Sequence, residues 1–194
     1  MKPLASLKQP ANPVLIFWIA IGLVGFFAVP WYGVEDFFKF EWLIDGYPFD
    51  ADYAPAAFLL GQAEKLWLAP LILPLLAPFA VLRKRKSDPL YARVLIVAGA
   101  MGLGWIILQG FSIGIRGWNF GWLQVFFGNL NDRQYGMGYG GMLVAVAFLF
   151  LFTQGIAARG AINGDVFVVS SISGIVVIVT IFVFFPIAKM LTAA

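Results

Sequence analysis

Long apolar segments alternate with short polar stretches along this chain. A helix needs about 20 consecutive apolar residues to cross a bilayer, whereas strands and soluble helices have shorter or periodic apolar runs. The pattern predicts an all-α polytopic membrane protein with about five transmembrane helices in a single helical domain over residues 1–194. The expected spans are approximately 14–30, 66–82, 94–115, 140–157 and 166–188, and none of them contains a charged residue.

Local signals mark where some of these helices begin and bend. Asn12-Pro13 places a capping side chain before a proline at the first helical position, and Asp165 can cap the last helix. Pro70, Pro74 and Pro78 interrupt the second segment at a spacing that puts them on one side of a helix. A hinge beside a transport path and a permanently kinked helix both fit this spacing. The kinked helix is the more common explanation in membrane segments.

Two long loops are rich in aromatic residues. Residues 33–65 contain seven acidic and two basic residues with Phe, Trp and Tyr interleaved, and 116–141 contains the uncharged aromatic run 118–127. Aromatic rings concentrate at membrane interfaces, so both loops are expected to lie on the membrane surface. The acidic loop has an alternative interpretation as a site for a cation or a basic partner. Its carboxylates lack the spacing of a calcium loop, which favours a solvated face.

Basic residues concentrate between the second and third segments. The stretch from Arg83 to Arg93 holds five of the thirteen Lys and Arg residues. Such clusters stay on the cytoplasmic side, so Arg83, Lys84, Arg85 and Lys86 are expected to set the topology, with the N-terminus inside and the C-terminus outside. These four cations are also expected to contact anionic lipid headgroups, each contributing about 1 kcal/mol.

Composition removes several classes of function. The chain is 61% hydrophobic and 12% charged, against about 45–50% and about 25% in soluble domains, so lipid must cover part of it. Cysteine and histidine are absent, which removes disulfides, thiol nucleophiles, thiolate metal sites, the usual proton shuttle and the usual haem ligand. We therefore expect no enzyme activity and no cofactor. The net charge of +3 is too small to indicate a nucleic-acid partner.

Small residues indicate where helices pack together. Gly110 and Gly114 in the third segment have the small-x-x-x-small spacing that lets two helices approach closely. Ser170, Ser171 and Gly174 form part of a small polar patch on the last segment, which is also expected to be a helix contact. We therefore expect contacts with other membrane subunits in addition to the lipid bilayer.

Several short motifs occur in a distinctive order. They are Asp45-Gly-Tyr-Pro-Phe-Asp50, Leu108-Gln-Gly-Phe111, Arg116-Gly-Trp118, Gly138-Tyr-Gly-Gly-Met142, Gly160-x-x-x-Gly164-Asp-Val-Phe-Val-Val169 and Phe184-Phe-Pro-Ile187. Together they resemble the N-terminal membrane region of bacterial permeases of the iron(III)-type ABC importers. The resemblance covers nearly the whole chain. It implies iron transport across the bacterial inner membrane, with the last segment as the opening helix of the permease core. In that membrane the outside C-terminus expected from the charges is periplasmic.

One feature of that family is missing. Its permeases carry cytoplasmic coupling helices with a Glu-Ala-Ala-type motif that engage the ABC ATPase, whereas Glu35, Glu41 and Glu64 all fall in the loop assigned outside. We expect the chain alone not to transport iron. An ATPase would be a partner only through further sequence, if the chain is a fragment of a longer permease. The alternative is an accessory or scaffold subunit packed into a larger respiratory or photosynthetic membrane complex.

Overall fold

The computed structural model describes residues 12–33, 40–44, 46–50, 52–63, 65–114, 117–130 and 136–193. Its helices are α1 (Pro13–Phe27), α2 (Ala56–Gly61), α3 (Ile72–Leu76), α4 (Pro89–Ser112), α5 (Leu123–Phe127), α6 (Tyr139–Ala158), α7 (Val166–Val179) and α8 (Phe185–Ala193). Four 3-10 turns cover Glu41–Leu43, Leu66–Leu71, Ala77–Val81 and Ala161–Gly164. The two-residue strands β1 (Ile113–Gly114) and β2 (Gly117–Trp118) pair antiparallel.

Three helical segments are long and apolar enough to cross a membrane: α4, α6 and the continuous segment Val166–Ala188. Helix α1 has 15 residues, which gives it a length of about 22 Å against a hydrocarbon core of about 30 Å. The apolar segment Leu66–Val81 is also shorter than a typical span. The structure thus confirms a mostly helical chain with three candidate membrane spans. The predicted number of five is not confirmed.

Helix α1 begins where the sequence predicts and ends early. The Asn12 side chain accepts a hydrogen bond from the backbone N–H of Val14 (3.2 Å), and Pro13 occupies the first helical position. The helix ends at Phe27, three residues before the predicted end. Pro30 explains the early end, because a proline disfavours helical backbone in the residue before it. Pro30 instead forms a β-bridge with Pro55.

The proline-rich segment Leu66–Val81 is divided into short pieces. Helix α3 lies between two 3-10 turns, since each proline lacks the N–H that a regular helix requires. Pro74 and Pro78 are buried, whereas Pro70 in the first 3-10 turn is exposed. The expectation that all three share one side is therefore wrong, because a 3-10 turn rotates further per residue than an α-helix.

Helix α4 begins five residues earlier than predicted. Asp88 caps it by accepting a hydrogen bond from the N–H of Leu90 (2.8 Å), and Pro89 is its first residue. The predicted third span of 94–115 is thus corrected at both ends, since the helix stops at Ser112, where β1 begins. Arg93 therefore belongs to a helix and not to the basic loop.

Helix α6 lies at the centre of the fold and contacts α1, α4 and α7. Small residues bring α1 and α6 together: a Cβ atom on Gly25 would lie 2.8 Å from the carbonyl oxygen of Gly140, and one on Gly22 would lie 3.2 Å from Cβ of Ala147. Further along, Trp18 stacks on Phe150 with 3.8 Å between ring centroids. These contacts show that the two helices are antiparallel.

A tight turn connects α6 to the last helical segment, Val166–Ala188. Gly160 has a positive φ of 94°, which glycine adopts without strain. Asp165 accepts hydrogen bonds from the N–H groups of Phe167 (2.9 Å) and Val168 (3.2 Å), so its predicted capping role is confirmed. Farther on, a π-helical stretch at Thr180–Phe184 ends two residues before Pro186. Proline disrupts regular α-helical bonding to the preceding turn, which accounts for this irregularity.

Candidate functional site

Several helix ends meet at one end of the bundle, which we call the basic end. The backbone N–H of Asn12 donates to the carbonyl of Leu82 (3.4 Å), and its side-chain amide donates to the hydroxyl of Tyr91 (3.0 Å). These bonds join the start of α1 to the end of the proline-rich segment and the start of α4. The described basic residues at this end are Arg83, Lys84, Arg85, Lys86, Arg93 and Arg159, and the described acidic ones are Asp88 and Asp165.

The four predicted headgroup residues, Arg83 to Lys86, are exposed in the turn before α4. The ammonium of Lys84 lies 3.3 Å from the carboxylate of Asp88. The pKa of the Asp88 carboxyl is held below its usual value, first by the hydrogen bond from the N–H of Leu90 and then by Lys84. An exposed ion pair of this kind stabilises a fold only slightly. Among the described residues, Lys84 is the only one of the four cations with an ion-pair partner. The turn therefore exposes most of its positive charge.

A groove opens between the start of α4 and the end of α6. It has a volume of about 410 Å³ and is lined by Ser87, Asp88, Pro89, Ala92, Arg93, Ala158 and Arg159. Two arginines from distant parts of the chain thus share one concave surface. The alternation of spans assigns both arginines to the same side of the membrane, but no local motif predicts that they line the same groove.

A buried polar group lies close to this groove in the register of α6. Gln154 is only 4% exposed, and its amide nitrogen has no hydrogen-bond partner within the described ranges. It lies one helical turn before Ala158, which lines the groove, and residues four apart share a helix face. Gln154 is thus buried although it lies near the end of α6.

The opposite end of the bundle, which we call the aromatic end, is organised around Trp67. Its indole N–H donates to the hydroxyl of Tyr32 (3.0 Å), and its backbone carbonyl accepts hydrogen bonds from the side chains of Trp105 (2.7 Å) and Gln109 (3.2 Å). Its ring packs edge-to-face against Trp118, with 5.3 Å between centroids. We call these five residues the Trp67 cluster. They join the chain after α1 to the proline-rich segment, α4 and β2.

A lysine is buried against this cluster. Lys65 is 9% exposed, and its ammonium lies 5.6 Å from the ring centroid of Trp67 and 6.0 Å from that of Tyr32. Both distances are within the range of cation–π attraction, which is stronger when the cation is desolvated. Burial raises the pKa of the Tyr32 phenol far above its usual value, and the hydrogen bond from Trp67 offsets this in part. Tyr32 therefore remains neutral beside Lys65.

The described part of each loop that was predicted to lie at the interface contains one short α-helix. Helix α2 lies in the acidic loop at 33–65, and α5 falls within the aromatic run at 118–127. Trp122, Val125 and Phe126 project apolar side chains outward. Several charged residues of these loops lie outside the described residues, among them Glu35, Asp36, Lys39, Asp45, Glu64, Arg116 and Arg133.

The two predicted packing glycines do not lie on one helix. Gly110 is half-buried near the end of α4, whereas Gly114 lies in β1, where a Cβ atom would be 2.5 Å from the side-chain oxygen of Asn119. The motif is interrupted because α4 ends at Ser112. The close contact between α4 and α6 is made instead by Gly99 and Gly102, and glycine spacing alone did not identify them.

The last helix is the most exposed of the three candidate spans. Only 6% of its apolar window is buried, compared with 28% for α4 and 50% for α6. The hydroxyl of Ser170 lies 2.9 Å from that of Thr153 on α6, so this part of the predicted serine patch is a helix contact. Ser171 is exposed, and a Cβ atom on Gly174 would meet no atom within 4 Å.

These features define a helical protein with membrane-compatible helices, a basic end and an aromatic end. No group of three or more His, Cys, Asp or Glu side chains that could hold a metal occurs in the described part of the chain. Comparisons with protein-family models, curated proteins and solved structures give no match. Membership of the importer permease family therefore stays a prediction from the sequence motifs.

Proposed function

We propose that the protein is a non-catalytic integral membrane subunit whose last helix packs against another membrane polypeptide. The observation that carries this proposal is the low burial of Val166–Ala188. Helix α6 covers one side of α7, through contacts such as the hydrogen-bonded Thr153 and Ser170. The other sides are open and apolar. Lipid alone can cover them, but the stripe that includes Ser171 and Gly174 also permits the close approach of a second helix.

Two assemblies fit this role. In the importer resemblance, Val166–Ala188 corresponds to the opening helix of the permease core, and such a helix is surrounded by further helices of that core. In the alternative, the same surface contacts a different subunit of a respiratory or photosynthetic complex. The open last helix favours neither assembly over the other. The partner that co-purifies with the protein separates them.

Purification in a mild detergent tests the proposal. We expect the tagged protein to co-migrate with other membrane polypeptides, and replacement of Gly174 by leucine to reduce their recovery severalfold. The leucine has open space in the free subunit, so it should obstruct only a partner helix. Co-purification of an ABC ATPase supports the importer assembly, whereas haem or pigment absorbance in the complex supports the alternative.

Gly104→Leu is the matched control, because a Cβ atom on Gly104 of α4 would also meet no atom within 4 Å. It adds the same side chain to an open site on another helix and is expected to leave the recovery of partners unchanged. Equal loss in both variants, or a last helix that tolerates Gly174→Leu without any loss, would contradict the packing role.

We further assign the basic end to the cytoplasmic side of a bacterial inner membrane. Six described basic residues lie at this end, whereas the described part of the aromatic end includes Asp50, Asp52 and Lys65. The positive-inside rule therefore favours a cytoplasmic basic end, an N-terminus inside and a C-terminus outside. In this proposal α1 and Leu66–Val81 also cross the membrane, with the bilayer thinning around them to accommodate their short lengths.

Single-cysteine labelling tests this orientation, and the native chain suits it because it contains no cysteine. Gln62→Cys reports on the aromatic end and Ser87→Cys on the basic end, and both positions are exposed. A membrane-impermeant maleimide is expected to label Gln62→Cys in intact spheroplasts and Ser87→Cys only after permeabilisation. A periplasm-active reporter fused after Ala194 is expected to be active. The reverse labelling pattern would overturn the orientation.

A further inference from the structure

We propose that the groove between α4 and α6 binds the phosphate group of an anionic phospholipid. This site is separate from the packing role of the last helix. The groove lies at the ends of two apolar helices, where the headgroup layer of a membrane would be. Its volume of about 410 Å³ falls within the range of about 300–1,000 Å³ that is typical of small-molecule sites.

Two guanidinium groups supply the charge that a phosphate requires. Arg93 is one turn into α4, and Arg159 directly follows α6. Both line the groove, and neither forms an ion pair with another described residue. Arginine binds phosphate through paired N–H donors, which a single ammonium cannot reproduce. The one carboxylate in the groove, Asp88, is already hydrogen-bonded to Leu90 and paired with Lys84, which reduces its repulsion of an anion.

The surface of α4 next to the groove suits an acyl chain. Leu90, Arg93, Val97 and Met101 follow one another at intervals of three or four residues and therefore share one face of the helix. The three apolar members of this stripe are exposed. A phosphate held by Arg93 would place its acyl chains along Val97 and Met101 toward the middle of the membrane. A soluble phosphate compound would make no use of this stripe.

The nearby cations also favour the binding of anionic lipid. Arg83, Lys84, Arg85 and Lys86 occupy the exposed turn before α4 and attract anionic lipid to the basic end. They lie outside the groove lining. Their contribution is therefore expected to be a general attraction, whereas Arg93 and Arg159 distinguish one bound lipid from the surrounding ones.

Lipid binding to the full chain in detergent micelles tests the site. Native mass spectrometry with added phosphatidylglycerol or phosphatidylcholine counts the lipids that remain bound. We expect the wild type to retain one phosphatidylglycerol in preference to phosphatidylcholine. R93Q/R159Q should weaken that binding by about 25-fold, or about fivefold for each arginine lost. R83Q/R85Q removes the same charge from the same end but outside the groove lining, so it should weaken the retention of this one lipid clearly less than R93Q/R159Q does.

Other outcomes of this experiment distinguish the groove from the rest of the basic end, and a lipid from a soluble phosphate. Equal losses in the two double variants, or no loss in R93Q/R159Q, would overturn the groove as the binding site. Inorganic phosphate that binds with the same dependence on Arg93 and Arg159 as phosphatidylglycerol would indicate a soluble ligand and overturn the lipid assignment. If R93Q/R159Q does not fold, the single variants R93Q and R159Q carry the same test. Asp88→Asn keeps a capping side chain but removes the negative charge, and it should tighten phosphatidylglycerol binding.

Discussion

Replacement of Trp67 by alanine is expected to destabilise the protein by about 3–5 kcal/mol, the usual cost of removing a large buried aromatic side chain. Trp67 is 1% exposed, and its ring contacts Trp118 while its indole N–H donates to Tyr32. Alanine would leave a cavity and remove the hydrogen bond to the partly buried Tyr32 hydroxyl. Lys65 would also lose one of the two rings against which its ammonium is buried.

Equilibrium unfolding by sodium dodecyl sulfate in mixed micelles measures this effect. Trp122→Ala is the control, because Trp122 is 62% exposed and its replacement should cost much less. Trp67→Phe keeps one aromatic ring but removes the N–H and the rest of the indole, so an intermediate loss of about 1–3 kcal/mol is expected. Similar stabilities for Trp67→Ala and Trp122→Ala would show that the Trp67 cluster does not stabilise the aromatic end.

The Trp67 cluster also shows why part of the fold could not be predicted from the sequence. Trp67 and Trp105 belong to different apolar segments, where each is consistent with an ordinary residue near the end of a membrane helix. Their hydrogen bond, from the indole N–H of Trp105 to the carbonyl of Trp67, depends on how the two segments pack. Hydropathy measures the apolar character of each segment and contains no information about such pairs.

Helix ends could be predicted where the local chemistry was interpreted as a cap. Asn12-Pro13 and Asp165 were identified in this way and are confirmed. Asp88-Pro89 has the same arrangement of capping side chain and proline, but the predicted third span begins only at residue 94. The physical signal was present at Asp88, and the helix start at Pro89 could have been predicted from it.

The candidate binding groove was accessible to prediction only in part. The basic turn before α4 is evident in the sequence, and the alternation of segments puts Arg159 on the same side. That Arg93 and Arg159 line one groove depends on the antiparallel packing of α4 and α6. This packing in turn depends on Gly99, Gly102 and Gly155, each of which allows one helix to approach the other closely.

Replacement of Gly99 by alanine is therefore expected to destabilise the central helix pair by about 1–3 kcal/mol, the usual cost of overpacking. A Cβ atom at Gly99 would lie 2.7 Å from the carbonyl oxygen of Phe148 and 2.7 Å from the backbone nitrogen of Phe152. Both atoms belong to the backbone of α6, so a side-chain rotation cannot relieve the clash. The two helices would have to move apart, and their other close contacts would weaken.

The same substitution at Gly104 should not destabilise the protein. Gly104 is on the same helix, and a Cβ atom there would meet no atom within 4 Å. Alanine favours helix over glycine by about 0.5–1 kcal/mol, so Gly104→Ala should be neutral or slightly stabilising. Unfolding in mixed micelles compares the pair directly. If both variants were equally stable, α4 and α6 would be able to separate without cost, and the close approach that brings Arg93 and Arg159 to one groove would not be a fixed feature of the fold.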